Sequence, residues 1–184
     1  MPTSVWQGKH IRLRAIEPED WEAFYAFDQD SELGRYDDYV YVPRSKEASK
    51  RWAEKRATEE HKDDQYFMVI ETLAGEIAGA MNSHTCDARN GTFSYGVALG
   101  EQYRRQGYAS EAVILLLRYF FQELRYQKVT AHVYSFNEPS LRLHEKLGFQ
   151  LEGRLRRMVY TNGHFFDEVL FGMTAEEFAM RYTV

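Results

Sequence analysis

Residues 109 to 124 carry the most regular alternation of hydrophobic and polar positions in the chain. Ala109, Ala112, Val113, Leu116, Leu117, Phe120 and Leu124 fall on one stripe at i, i+3, i+4, i+7 spacing, which predicts an amphipathic helix. The hydrophobic run Phe93-Ser-Tyr-Gly-Val-Ala-Leu99 precedes it as a strand. Upstream, His10-Ile-Arg-Leu-Arg-Ala-Ile16 alternates as a strand should. Pro18 then opens a helix over 18–28, with Trp21, Phe24 and Tyr25 on one face. The acid-rich stretch 28–43 reads as a loop, and 45–61 as a polar helix. Strands are predicted over 65–72 and 76–84, joined through Leu-Ala-Gly. Asn90-Gly91 predicts a type I′ turn into the strand 92–99. A strand over 129–134 leads to a helix capped by Asn137 and stopped by Gly148. A last hairpin turns at Asn162-Gly163 between strands 149–160 and 165–173. The order β-α-α-β-β-β-α-β-α-β-β predicts an α/β (α+β) fold: a mixed sheet with helices on its faces.

A length of 184 residues predicts a single domain over 1–184, and 44% hydrophobic with 15% aromatic residues supplies a full core. The net charge of −5, with 28 acidic and 23 basic residues interspersed, argues against a nucleic-acid partner. Cys86 is the sole cysteine, so no internal disulfide forms and a reducing, cytoplasmic setting is expected. No metal-ligand spacing is present, so no metal is expected. The N-terminus lacks the apolar core of a signal peptide, and no apolar run approaches a membrane span.

Chemistry enters at the strand–loop–helix junction Arg104-Arg-Gln-Gly-Tyr-Ala-Ser-Glu111. A helix start presents unpaired N–H groups and positive dipole charge, and Gly107 lets a phosphate approach them. Arg104 and Arg105 add positive charge, so the segment predicts a bound pyrophosphate. In the second helix Asn137 and His144 lie two turns apart and share a face. Both strand–helix junctions are expected to open at the same sheet edge, where ligands favour the strand carboxyl ends.

Arg104-x-x-Gly107-x-Ala109, then Asn137-x-x-Ser140, then His144-Glu-Lys-Leu-Gly-Phe149 together resemble the GNAT N-acetyltransferases. That family shows Gln/Arg-x-x-Gly-x-Gly/Ala, then Asn, a small residue three later, and Tyr-Glu-Lys-Leu-Gly-Phe. The closing run Leu-Glu-Gly-Arg-Leu-Arg-Arg157, the Asn-Gly hairpin and Asp167 are similar to the branch that acetylates ribosomal-protein N-termini and spermidine. The resemblance implies about seven strands, mostly antiparallel, with two central parallel strands splayed around the cofactor. It implies acetyl-CoA as co-substrate and direct transfer to a primary amine, a protein or peptide N-terminus or a polyamine-like molecule. The cofactor residues so implied are Val97, Ala98 and Leu99 through their main chain, Arg104, Arg105, Gln106, Gly107, Tyr108, Ala109 and Ser110 around the pyrophosphate, and Asn137 with Ser140. A homodimer is also implied, with Tyr160, Phe165 and Phe166 as one surface or as core.

His144 departs from the family's tyrosine. A neutral imidazole still carries one N–H, so His144 is the candidate acid toward the departing sulfur, or a packing residue only. For the base the candidates are Glu17, His84, Asp87, Tyr95 and Asp167. Asp37 and Asp38, beside Tyr36, Tyr39 and Tyr41, suit a cationic acceptor, or form a solvated loop. The competing reading is a non-catalytic acyl-CoA-binding module; a nucleotide-binding protein would need a phosphate-loop glycine pattern that is missing.

Overall fold

The computed structural model describes residues 4–37 and 39–182. Seven strands form one sheet in the order β1-β2-β3-β4-β5-β7-β6. They are β1 (Ile11–Arg14), β2 (Phe67–Thr72), β3 (Ile77–Asp87), β4 (Thr92–Leu99), β5 (Lys128–Tyr134), β6 (Gln150–Thr161) and β7 (His164–Thr174). The helices are α1 (Trp21–Phe27), α2 (Ser31–Asp37), α3 (Lys46–Thr58), α4 (Tyr108–Gln122), α5 (Glu138–Leu147) and α6 (Ala175–Arg181). Among the described residues no helix is long and apolar enough to cross a membrane. The β4–β5 pair is parallel and joins residues 92–94 to 128–130, ending at Ser94 and Thr130. The chain divides into two compact units, Met1–Asn82 with Val97–Leu115, and Ser83–Gly96 with Leu116–Val184.

In the first unit β1 and β2 pair antiparallel from Ile11↔Thr72 to Arg14↔Val69. Ile16, Ala53 and Val69 form a buried cluster beneath Trp21, Phe24, Trp52 and Phe67. Phe24 meets Trp52 edge-on at 5.1 Å, an arrangement aromatic pairs favour. Arg14 forks onto Asp20 at 2.7 and 2.9 Å and also bonds Glu71 at 2.7 Å. Burial alone would raise the Glu71 carboxyl, but its bonds to Arg12 and Arg14 hold it below the usual range.

In the second unit β5 pairs with β7 from Lys128↔Thr174 to Tyr134↔Glu168, and β7 with the edge strand β6. Val129, Ala131 and Val133 are buried while His132 is exposed, the alternation expected of a strand covered on one face. Phe93 stacks on Phe120 at 4.0 Å and meets Tyr126 edge-on at 5.4 Å.

Three local expectations change. Asn90-Gly91 is not a two-residue type I′ turn: the turn spans 88–91, and of the pair only Gly91 has positive φ. Asp87 decides this, because its Oδ1 accepts from Arg89 and Asn90 N–H at 3.0 Å and its carbonyl accepts from Gly91 N–H at 2.8 Å. At Asn162-Gly163, by contrast, both residues are left-handed, with φ of 49° and 79°. The stretch 28–43 is not all loop, since Asp30 Oδ1 accepts from Glu32 and Leu33 N–H and starts α2. The helix from Pro18 is broken into a 3-10 turn, Pro18–Asp20, and α1.

Candidate active site

The loop between β4 and α4 is shaped by backbone dihedrals. Arg105 has φ of +63° and Gly107 of +85°; the left-handed region is costly for most residues and open to glycine. A Cβ on Gly107 would meet nothing within 4 Å. Gln106 Nε2 bonds the Gln102 carbonyl at 2.8 Å, so its side chain folds back on the loop. Arg104 is engaged likewise: its Nε donates to the Leu99 carbonyl at 3.2 Å, its guanidinium lies 3.7 Å from Asp30, and it sits over the Tyr36 ring. Arg105 projects as the exposed cation of the pair. Tyr108, Ala109 and Ser110 open the 15-residue α4, whose first N–H groups lack acceptors inside the helix. An open glycine, a helix start and an exposed arginine fit a diphosphate.

On β4, Gly79 fixes the position of Ala98 and Leu99. A Cβ at Gly79 would stand 2.0 Å from the Ala98 carbonyl oxygen and 2.9 Å from Leu99 Cα. Val97 and Ala98 are half-buried and Leu99 is buried.

The second unit holds Asn137, Ser140 and His144. Asn137 caps α5 by accepting from Ser140 N–H at 3.2 Å. Pro139 sits in the first turn, and Gly148 ends the helix at φ +92°. His144, one turn from Ser140 and on the same face, is 3% exposed. Its ring stacks on Phe171 and meets Phe149 edge-on. Nδ1 lies 2.7 Å from the Ser140 carbonyl oxygen, which can only accept, so Nδ1 carries the hydrogen. Nε2 is then the bare nitrogen, and the Tyr95 hydroxyl donates to it at 2.8 Å. A neutral His144 in this arrangement has no N–H left for a sulfur atom. Burial pushes its pKa below the ordinary imidazole value, with the Ser140 bond opposing, so the cation is disfavoured as well. Burial also raises the Tyr95 phenol well above its usual value.

The candidate bases are mostly occupied. Asp87 holds its turn, and those bonds keep its carboxyl low. Asp167 takes Arg154 Nε at 2.7 Å and Arg157 N–H at 2.9 Å and is lowered in the same way. Glu17 forms a capping box with Asp20. Burial lowers His84, the nearby His132 lowers it further, and a hydrogen bond to the Tyr95 carbonyl opposes both; its Nδ1 meets Thr85 Oγ1 at 2.9 Å. Asp37 ends α2 and is exposed, whereas Asp38 lies outside the described residues. Tyr160 and Phe165 are exposed, 63% and 53%, and Phe166 packs edge-on against Phe136 at 4.7 Å.

Sequence reasoning passed over one pair, His132 with Glu168, whose Nδ1 and Oε1 lie 3.2 Å apart. Both strands were predicted, but the antiparallel register that brings the two together is a tertiary fact.

The family model described as acetyltransferase (GNAT) domain matches residues 10–150. The chain belongs to the GNAT acetyltransferase family. It is 43% identical over 182 residues, 99% of both chains, to the SPbeta prophage-derived uncharacterized N-acetyltransferase YokL of Bacillus subtilis (strain 168). It is 24% identical over 155 residues to the spermidine N(1)-acetyltransferase of Escherichia coli (strain K12), covering 84% of this chain and 81% of that one. A crystal structure of spermidine N-acetyltransferase from Vibrio cholerae, in complex with CoA and spermine, superposes with a TM-score of 0.79. It is 20% identical, covers 91% of this chain and is covered over 97% of its own length, a likeness of fold. The GNAT match spans both motifs, from the Arg104 loop to His144 and Phe149. As a GNAT member the protein is an N-acetyltransferase, and its seven-stranded sheet with one parallel pair is the GNAT fold.

Proposed function

We propose that the protein moves an acetyl group from acetyl-CoA to a primary amine, a protein N-terminus or a polyamine-like molecule, by direct attack of the amine on the thioester. The carrying observation is the Gly107 loop, left-handed at residues 105 and 107 and open above the glycine at the start of α4. In this reading N–H groups of residues 105–110 hold the pyrophosphate. Val97, Ala98 and Leu99 offer main-chain groups to the pantetheine arm, and one donor there polarises the thioester carbonyl as charge develops. Asn137 contacts the cofactor while it caps α5, and Ser140 shares that junction. His144 acts by holding Tyr95 and through it β4. A cytoplasmic homodimer that uses the Tyr160–Phe165 surface completes the proposal.

Free-thiol release from acetyl-CoA, measured against polyamines, N-terminal peptides and aminoglycosides, tests it. Turnover with polyamines or peptides is the expected result and names the acceptor class. No turnover, with acetyl-CoA still bound in a calorimeter, would favour the non-catalytic acyl-CoA-binding module. Gly107→Val gives a narrower check. Its own cost is the left-handed strain, about 1–2 kcal/mol, because no atom stands near the new Cβ. Acetyl-CoA affinity is expected to fall at least about tenfold, or about 1.4 kcal/mol, as the side chain fills the phosphate approach. Unchanged affinity by calorimetry would remove the phosphate role of the loop.

A further inference from the structure

We propose that His132 is the general base that takes the proton from the acceptor amine, with Glu168 fixing its ring. The inference rests on the acetyl-transfer reading and adds to it the residue that makes the amine nucleophilic. Three imidazoles belong to this part of the second unit, and their hydrogen bonds separate them. His144 is buried, with Nδ1 on the Ser140 carbonyl and Nε2 on the Tyr95 hydroxyl. His84 is bonded to the Tyr95 carbonyl and to Thr85 Oγ1. His132 has one nitrogen engaged: Nδ1 lies 3.2 Å from Glu168 Oε1.

A carboxylate accepts only, so Nδ1 of His132 carries the hydrogen and Nε2 presents its lone pair. The side chain of Glu168 is 16% exposed and that of His132 is 43% exposed. A sheltered carboxylate thus orients an accessible imidazole, the arrangement by which a base is held in one tautomer. The strand pairing places it. The β4–β5 ladder ends at Ser94↔Thr130, and His132 follows two residues later on the face that Thr130 shares. It therefore stands just past the point where the parallel strands stop pairing. The titratable groups facing it from neighbouring strands are His84 on β3 and Glu168 on β7; on β5 itself Lys128 and Tyr134 share its face.

The chemistry closes without a second protein acid. The acceptor arrives as R–NH₃⁺, and Nε2 of His132 takes one proton. The freed nitrogen pair forms the C–N bond at the thioester carbonyl carbon. The C–S bond breaks and its pair stays on sulfur. One of the two protons left on nitrogen passes to that sulfur, giving the amide and the free thiol. His132 then releases its proton to solvent.

The test is kcat/KM for thiol release with the best amine from the panel, from pH 6 to 10, for wild type, His132→Gln and Glu168→Gln. A positioned base contributes roughly 10²–10⁴-fold. His132→Gln is expected to lose at least about 30-fold near neutral pH, with acetyl-CoA affinity within about twofold of wild type. The deficit shrinks as pH rises, because bulk hydroxide then deprotonates the amine in place of His132. Glu168→Gln is expected to lose several-fold and to shift the ascending limb of the profile. A His132→Gln profile that overlays wild type, or a deficit constant across pH, would overturn the base. Wild type inactive on every amine would instead overturn the transfer reading, and the base with it.

Discussion

His144→Phe is expected to destabilise the protein by about 1–3 kcal/mol, because it leaves the buried Tyr95 hydroxyl without an acceptor. Phe keeps the ring packing against Phe149 and Phe171, so the cost is mainly polar. Tyr95→Phe removes the donor and strands the Nε2 lone pair, at roughly 1 kcal/mol. The double variant is expected to cost less than the sum, since neither partner is then left alone. Chemical denaturation of the four proteins measures that coupling; strict additivity would mean the hydrogen bond is not formed in solution.

The same variant carries a pH signature. Burial lowers the folded-state pKa of His144, while the unfolded chain takes its proton near ~6.5. Below that pH the unfolded state binds more protons than the folded state. The stability contribution is therefore complete above about 6.5 and is lost as pH falls toward the folded value. His84, lowered for similar reasons, acts in the same direction. Wild type should lose thermal stability between pH 7 and 5, and His144→Phe should lose less. Turnover supplies the remaining readout. With both ring nitrogens engaged, kcat of His144→Phe is expected to fall only a few-fold. A loss of tenfold or more, about 1.4 kcal/mol, with His144→Tyr fully active, would make residue 144 the acid to the sulfur.

Gly79→Ala is expected to be severe for a different reason. The added methyl would lie 2.0 Å from the Ala98 oxygen, 2.9 Å from Leu99 Cα and 3.0 Å from the Ala98 carbonyl carbon. All three are main-chain atoms, so no side-chain rotation relieves the contact. Overpacking of this kind costs about 1–3 kcal/mol or more, and here the strand that shifts carries Val97, Ala98 and Leu99. Acetyl-CoA affinity should fall together with the melting temperature. Gly153→Ala is the control: its Cβ would meet Leu170 Cδ1 at 3.8 Å, an ordinary contact. Equal melting temperatures for the two variants would show that β3 and β4 are farther apart in solution.

Much of this was legible in the sequence where one local signal decided the structure. Thr92 to Leu99 is a strand with the predicted ends, and Ala112, Val113, Leu116, Leu117 and Phe120 are the buried stripe of α4. Asn137 and Gly148 cap α5 as their chemistry requires. Where two local signals competed, the reading failed. Asp87 outbid Asn90-Gly91 for the turn, and Asp30 started a helix inside what looked like an acidic loop. Helix α6 was missed although Thr174 and Glu177 spell a capping box. The hydrogen bonds of His144 and the His132–Glu168 pair were out of reach, because each depends on residues brought together by strand register or helix packing.

Strand β6 has a consequence for self-association. It is a long strand at the sheet edge, with Leu151, Met158 and Tyr160 exposed. Such an edge would ordinarily template the backbone of a neighbouring chain. Here the register slips between Leu151 and Gly153 and again between Leu155 and Val159, with Arg157 in the left-handed region. These interruptions leave no long straight row of free amides and carbonyls. A second copy meeting this edge must dock side chain against side chain, so association through it can end at a pair of molecules instead of growing into a fibre.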